Sequence, residues 1–214
     1  MAEAINITTV GTEHELKIDS AYDLKALDLF IDRKDVRYYL TGLHLDNKYM
    51  TATNGKVLLR IRHDQDLGLG EDGIIVSLPK VTVKASDPQC SISIEETETP
   101  VPHGHGTVTE YSRVARLFIN DTVHNLEIIR GTVNGQYPDV TTVIPDQNQT
   151  KQCESSFQAQ YLELIAKAAR LLNKNKKETS CRFYGETNCA HRVDIGGRDD
   201  VDMVIMPITN PDKS

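Results

Sequence analysis

The residues best suited to chemistry in this 214-residue chain are few and scattered. Cys181, Cys189 and His191 are three soft donors close together. A zinc site, however, needs four ligands at characteristic spacing, and no C-x-x-C pair links Cys90, Cys153, Cys181 and Cys189. His103-Gly104-His105 has no partner ligands nearby. Gly68-Leu69-Gly70-Glu71-Asp72-Gly73 spells G-x-G-x-x-G, but a dinucleotide site needs a strand before it and a helix after it. Here a polar stretch precedes and a strand follows. With no Ser/His/Asp grouping and no P-loop, the chain is expected to be no enzyme and to need no metal or cofactor.

The strongest chemical signal is electrostatic. From Leu164 to Lys177 there are five cations and no anions, in a chain of formal charge −7. At 100° per residue, Lys167, Arg170, Lys174 and Lys177 fall within roughly 80° of one another, about 140° from the apolar face of the same helix. Such a stripe is either a solvated face with cations favoured near the helix C-terminus, or a contact for phosphates that reads no bases. The overall acidity excludes a surface that is basic throughout.

The elements that carry these residues read as α+β. Glu15 to Ile18 alternates as a strand, and Ser20 with Asp23 three residues on opens a helix to about Lys34. Strands are expected at Arg37 to Asp46 and at Tyr49 to Arg62, the latter interrupted by Asn54-Gly55. A short strand at Ile74 to Leu78 ends at Pro79. Val81 to Ala85 stands where a further helix would begin, though β-branched residues disfavour it. Glu95 to Gly106, with Pro100 and Pro102, reads as a loop, and Thr107 to Ile119 and Val123 to Ile129 as strands.

Val140 to Ile144 reads as a short strand before a polar connector to Cys153. The strongest helix, about Ser155 to Asn173, has Phe157, Tyr161, Leu164, Ile165, Ala168, Leu171 and Leu172 at helical spacing. Strands near Ser180 to Phe183, through Val193, and at Val201 to Ile208 close the chain. Hairpin-like connections without strand–helix alternation imply a largely antiparallel sheet. No apolar run approaches the roughly 20 residues of a membrane span, and Met1 to Val10 has no signal-peptide pattern. Unpaired cysteines fit a reducing compartment, so a soluble cytoplasmic protein is expected.

Several stretches resemble the bacterial DNA polymerase III beta sliding clamp family, in that family's order. Asp35-Val36-Arg37-Tyr38-Tyr39-Leu40-Thr41-Gly42 is similar to its D-V-R-Y-Y-L-N-G, and Ala52-Thr53-Asn54-Gly55-Lys56-Val57-Leu58 to its A-T-D-G-H-R-L. Gly135-Gln136-Tyr137-Pro138-Asp139 through Val143-Ile144-Pro145 resembles the G-R-F-P-D…V-L-P that ends its middle domain. Phe157 to Leu162 looks like the F-N-V-S-Y-V helix start of its last domain, and Val204 to Ile208 like its closing V-V-M-P-M.

The resemblance implies a DNA-clamp-like fold of helix-plus-antiparallel-sheet modules, about one and a half clamp domains per chain. Residues 1–146 would match the middle domain and 147–214 the C-terminal half of the last. It implies a processivity factor that encircles double-stranded DNA without sequence preference. Such a clamp tethers the replicative polymerase and the clamp loader by their Q-L-x-L-F-type peptides. Carried over position by position, the peptide site comprises Arg37, Leu40, Thr53, Gly55, Leu58, Pro145, Gln158, Tyr161, Val204, Ile205, Met206, Pro207 and Ile208. Aliphatic walls with Met and Tyr suit a partner's Leu and Phe. The DNA contact would be Lys167, Arg170, Lys174 and Lys177.

The chain departs from the pattern where Lys56-Val57 replaces the family's His-Arg, and where Thr209 to Ser214 follows Ile208. Nothing matches the family's first domain or the first half of its last. Three modules per chain, set against a twelve-module ring, imply a homotetramer, with a trimer as the alternative. A different class of function also fits: a clamp-like decoy that binds clamp-binding motifs without encircling DNA.

Overall fold

The computed structural model describes residues 10–80, 89–103, 106–119, 122–129, 137–145, 155–174 and 179–208. Strand β1 (Val10–Ile18) buries Leu16 and Ile18 and leaves Glu15 and Lys17 in solvent. Ser20 then caps helix α1 (Ala21–Asp28), its Oγ accepting from the Tyr22 amide at 3.2 Å.

The helix stops at Asp28, short of the expected Lys34. The amides of Leu29, Phe30 and Ile31 bond back only three residues, tightening the last turn. The carboxylates of Asp32 and Asp35 then capture the amides of Lys34 and Arg37, offering the backbone an alternative to helix.

The strand expected at Arg37 to Asp46 is mostly a turn. Tyr38–Leu40 forms one turn of 3-10 helix, closed by Thr41 Oγ1 donating to the Tyr38 carbonyl at 2.6 Å, and only Leu43–Leu45 (β2) is extended. β3 (Tyr49–Thr53) and β4 (Val57–Arg62) meet at Asn54-Gly55, where Gly55 takes φ +80° and Asn54 Oδ1 accepts from the amides of Lys56 and Val57. β5 is Ile74–Ser77.

The loop expected at Glu95 to Gly106 is instead part of a long hairpin of β6 (Cys90–His103) and β7 (Gly106–Ile119). β1 pairs β6 from Ile18–Cys90 to Val10–Glu98, where the described residues begin. Pro100 and Pro102 lie within β6, in register with Thr109 and Thr107 of β7. β8 (Thr122–Ile128) follows. The strand expected at Val140 to Ile144 is also overturned: Val140–Val143 is a 3-10 turn, because the Asp139 carboxylate accepts from the Thr141 amide at 2.9 Å and from its hydroxyl.

Helix α2 (Ala159–Leu172) packs Ile165, Ala168, Ala169 and Leu172 into the core and lies against α1. β9 (Cys181–Tyr184), β10 (His191–Ile195) and β11 (Val201–Ile205) end the described chain. Among the described residues eleven strands form one sheet in the order β1-β6-β7-β8-β5-β2-β3-β4-β11-β10-β9, every neighbour antiparallel. The α+β expectation therefore holds. β4 pairs β11, so the first and last thirds of the chain share one sheet as well as one helix pair.

Alternation divides the two faces. Val57, Leu59, Ile61, Met203 and Ile205 join the helix-side core, whereas Leu58 and Val204, paired across strands, face outward with Arg60 and Asp202. The helix considered at Val81 to Ala85 lies outside the described residues.

Candidate functional site

The outward face carries an apolar pocket of about 260 Å³. Its rim begins with Arg37, whose guanidinium donates to both oxygens of Asp35, Nε to Oδ1 at 2.9 Å and Nη2 to Oδ2 at 2.6 Å. These bonds hold the Asp35 carboxyl down at about 2. Gly55 lies against the same guanidinium: a Cβ there would stand 2.9 Å from Nη2. Thr53 Oγ1 donates to the Val57 carbonyl and accepts from the Gly55 amide, so its polar group is spent on shaping the turn.

Leu40, Leu58 and Val204 form buried walls. Met206 is 38% exposed at the mouth, fixed by its amide donating to the Lys56 carbonyl at 2.8 Å. The opposite wall is the Asp139-capped turn, which presents Val140 and Val143.

Seven of the thirteen expected peptide-site residues therefore meet in one place: Arg37, Leu40, Thr53, Gly55, Leu58, Val204 and Met206. The other six do not line the pocket. Ile205 is fully buried and points to the helix side. Gln158 is exposed as the N-cap of α2, and Tyr161 packs against the main core. Pro145 and Pro207 are half-buried elsewhere, and Ile208 is exposed, tied by its amide to the Ser156 carbonyl at 2.8 Å.

Sequence reasoning missed Tyr39, Lys56, Val57, Pro138, Asp139, Val140 and Val143. Of these, Val140 and Val143 were accessible to a helical reading, since three residues separate them after a capping Asp.

The cationic stripe lies on the other side of the molecule. Lys167 and Arg170 are exposed along α2, away from the core residues Ile165, Ala168, Ala169 and Leu172, whereas the helix ends at Leu172 and Lys174, exposed just past it with φ +54°, does not continue the expected helical stripe. Lys167 pairs with Glu163 at 2.7 Å, which lowers the Glu163 pKa. Lys177 lies outside the described residues. Near the chain's end, His191 Nδ1 bonds the Cys189 carbonyl at 2.8 Å. Among the described residues no group of three or more His, Cys, Asp or Glu is placed to hold a metal ion, and no helix is long and apolar enough to cross a membrane.

Solved structures share this architecture. The DNA polymerase sliding clamp of Bacillus subtilis aligns with 93% of this chain and 64% of its own, with a TM-score of 0.55 and 12% identity. The chain has the bacterial sliding-clamp fold. The beta sliding clamp of Caulobacter crescentus aligns over 98% of this chain and 68% of its own, at TM-score 0.56 and 13% identity. A Bartonella birtlesii clamp bound to griselimycin covers 92% and 66%, at TM-score 0.54 and 16% identity.

The chain thus spans about two-thirds of the length of the clamps it matches. No protein-family model matches the sequence, and no curated protein is similar to it at the sequence level. The likeness is one of fold, at 12–16% identity.

Proposed function

We propose that this chain is a shortened DNA sliding clamp, a homo-oligomeric ring around duplex DNA that tethers polymerase and other replication proteins by short apolar peptides. The observation that carries the reading is the separation of two unlike surfaces on a clamp fold. An apolar pocket opens on the outward face of the sheet, and an exposed row of cations runs along the helix packed behind it. A ring needs that separation, because DNA inside and partners outside must be held at once.

The pocket suits a peptide. About 260 Å³ accommodates one or two large apolar side chains, and its polar rim of Arg37, Lys56 and Asp139 can fix a backbone's direction. The thirteen-residue site is proposed with the seven lining residues as its centre, and the remaining six as contacts for a peptide that runs beyond the pocket. The cations act on phosphate without reading bases. Residues 1–146 and 147–214 are proposed as the two clamp-like units.

Closure into a ring is supported by the sheet itself. Among the described residues β1 and β9 are its two terminal strands, each with one side left unpaired and available to a neighbouring chain. Four chains complete the ring by module count, and three form the alternative. Retention on DNA tests the reading: a ring loaded onto nicked circular DNA stays through gel filtration and slides off once the circle is cut. Equal loss from both forms overturns encirclement.

One observation favours the rival decoy. Lys167 is already paired with Glu163, which weakens the stripe as a phosphate contact. A decoy binds clamp-binding peptides as a monomer and gives no processivity.

A further inference from the structure

The pocket has a neighbour on the same face of the sheet. A groove of about 730 Å³ opens beyond Pro138, Asp139 and Val140, and these three residues line both hollows. Its floor is aromatic. The Tyr137 ring lies on the His44 imidazole with centroids 4.3 Å apart and planes 7° from parallel. Its rim is acidic: Asp46, Glu71, Asp72 and Asp139 stand against Lys48 and Arg60.

Arg60 is already committed, donating twice to Asp202 Oδ2 at 2.9 and 2.7 Å and lying 4.1 Å over the Tyr49 ring. Burial lowers the His44 pKa, so the stacked floor is neutral near pH 7. Hydrogen bonds from Thr141 hold the Asp139 carboxyl below its ordinary value, keeping it charged. Tyr137 is only 8% exposed, and its hydroxyl has no hydrogen-bond partner among the described residues. Such a group costs free energy until a polar partner meets it.

We propose that this groove takes a lysine or arginine side chain flanking the apolar anchor of the same bound peptide, with Glu71 as a specificity-determining contact. The inference rests on the peptide reading of the pocket. A chain anchored there has only the width of Pro138, Asp139 and Val140 to cross, a span that a few extended residues cover. An aliphatic stem lies on the aromatic floor while its charged head meets the carboxylates.

Three fluorescein-labelled peptides with one Gln-Leu-Ser-Leu-Phe core, flanked on both sides by Arg, by Ser or by Glu, test this by fluorescence anisotropy. The parent binds the Arg-flanked peptide about fivefold more tightly than the Ser-flanked one. Glu71 is exposed, so Glu71→Gln and Glu71→Lys leave the fold and the Ser-flanked affinity unchanged. The first variant shrinks the Arg preference, and the second turns it toward Glu.

Glu98→Lys, a reversal of equal charge on the distant β6 hairpin, leaves the preference intact. Equal binding of Arg- and Ser-flanked peptides by the parent overturns the groove assignment, as does equal loss in the Glu98 and Glu71 reversals. Failure of the Ser-flanked peptide to bind at all, with the chain folded, overturns the pocket reading and this inference with it.

Discussion

Arg198 donates to both carboxylate oxygens of Asp23, at 3.0 and 3.1 Å, across 175 residues of sequence. The same guanidinium donates to the carbonyl of Leu172, the last residue of α2, at 3.0 Å and to both oxygens of Asp200. One side chain thus ties the first turn of α1 to the last turn of α2 and to the connection before β11, satisfying a helix-end carbonyl on the way. The first and last portions of the chain are held in register at this joint.

Arg198→Met keeps the aliphatic length and removes the charge, leaving the 7%-exposed Asp23 without its guanidinium. Fully buried pairs cost several kcal/mol to break. With the two side chains 18% and 10% exposed, the expected loss is about 2 kcal/mol. Urea unfolding measures it, and a loss under about 0.5 kcal/mol shows that the joint contributes little.

The joint also has a pH signature. Hydrogen bonds from Arg198 lower the Asp200 pKa below 3.8. A depressed carboxylate pKa contributes stability that is present above the unfolded value and lost as pH falls through the folded one. The thermal midpoints of the parent and Arg198→Met should therefore differ steadily from pH 7 to about 4 and converge below it. A gap unchanged down to pH 2.5 assigns the loss to packing alone.

Met206→Ala is the cleaner probe of the pocket, because Met206 is 38% exposed and its truncation leaves no internal cavity. Peptide affinity should fall by more than about 1 kcal/mol, as central apolar contacts usually dictate. Leu58→Ala should weaken binding similarly while also destabilising the fold by about 2 kcal/mol or more, since Leu58 is 4% exposed. Calorimetric titration with the unfolding curve beside it separates the two effects. Full affinity in both variants removes the pocket from the peptide path.

Light scattering at micromolar concentration should give a mass of four chains, or of three if the ring has fewer modules. A persistent monomer, with peptide binding retained, leaves the decoy as the surviving reading. β9 is four residues long and terminal in the sheet among the described residues, and Arg182→Pro disturbs that edge at an exposed position without touching the core. That variant should shift the mass to the monomer.

What the sequence disclosed was local. The Ser20 cap, the Asn54-Gly55 turn and the apolar spacing of α2 each depend on a few neighbouring residues, and all three form, although α2 begins at Ala159, past the expected Ser155, and leaves Phe157 outside it. Pro100 and Pro102 misled because a strand tolerates proline where its nitrogen faces away from the partner strand, which no nearby residue reveals. Val140 to Val143 misled because β-branched residues favour strand, while one Asp139 side chain decides for a turn.

Within the site, the consecutive residues Val204 and Ile205 could not both face one pocket on a strand, since neighbours point to opposite faces. That parity was available in the sequence. The choice of Val204 over Ile205 was not, because it depends on the pairing of Val204 with Leu58.

Reversing the stripe with Lys167→Glu, Arg170→Glu, Lys174→Glu and Lys177→Glu should abolish polymerase processivity on long templates while sparing peptide binding and oligomer mass. Lys167 and Arg170 are exposed on α2, opposite its core-facing residues, Lys174 is exposed just past the helix end, and none of the three lines the pocket. Glu163 sharpens the expectation: it now holds Lys167 at 2.7 Å, and after reversal it adds a like charge to the same face. Each chain swings by roughly eight charge units, multiplied around a ring, so a channel that attracts phosphate becomes one that repels it. In the parent, processivity should also decline steeply with added salt, because binding without base contacts rests on counterion release. Single reversals should show little, least of all Lys167→Glu, whose lysine is partly neutralised already. Primer extension on a singly primed circle, run from low to moderate salt, reads the effect as product length. If the fourfold variant extends as far as the parent at low salt, the stripe is a solvated helix face and DNA is held elsewhere.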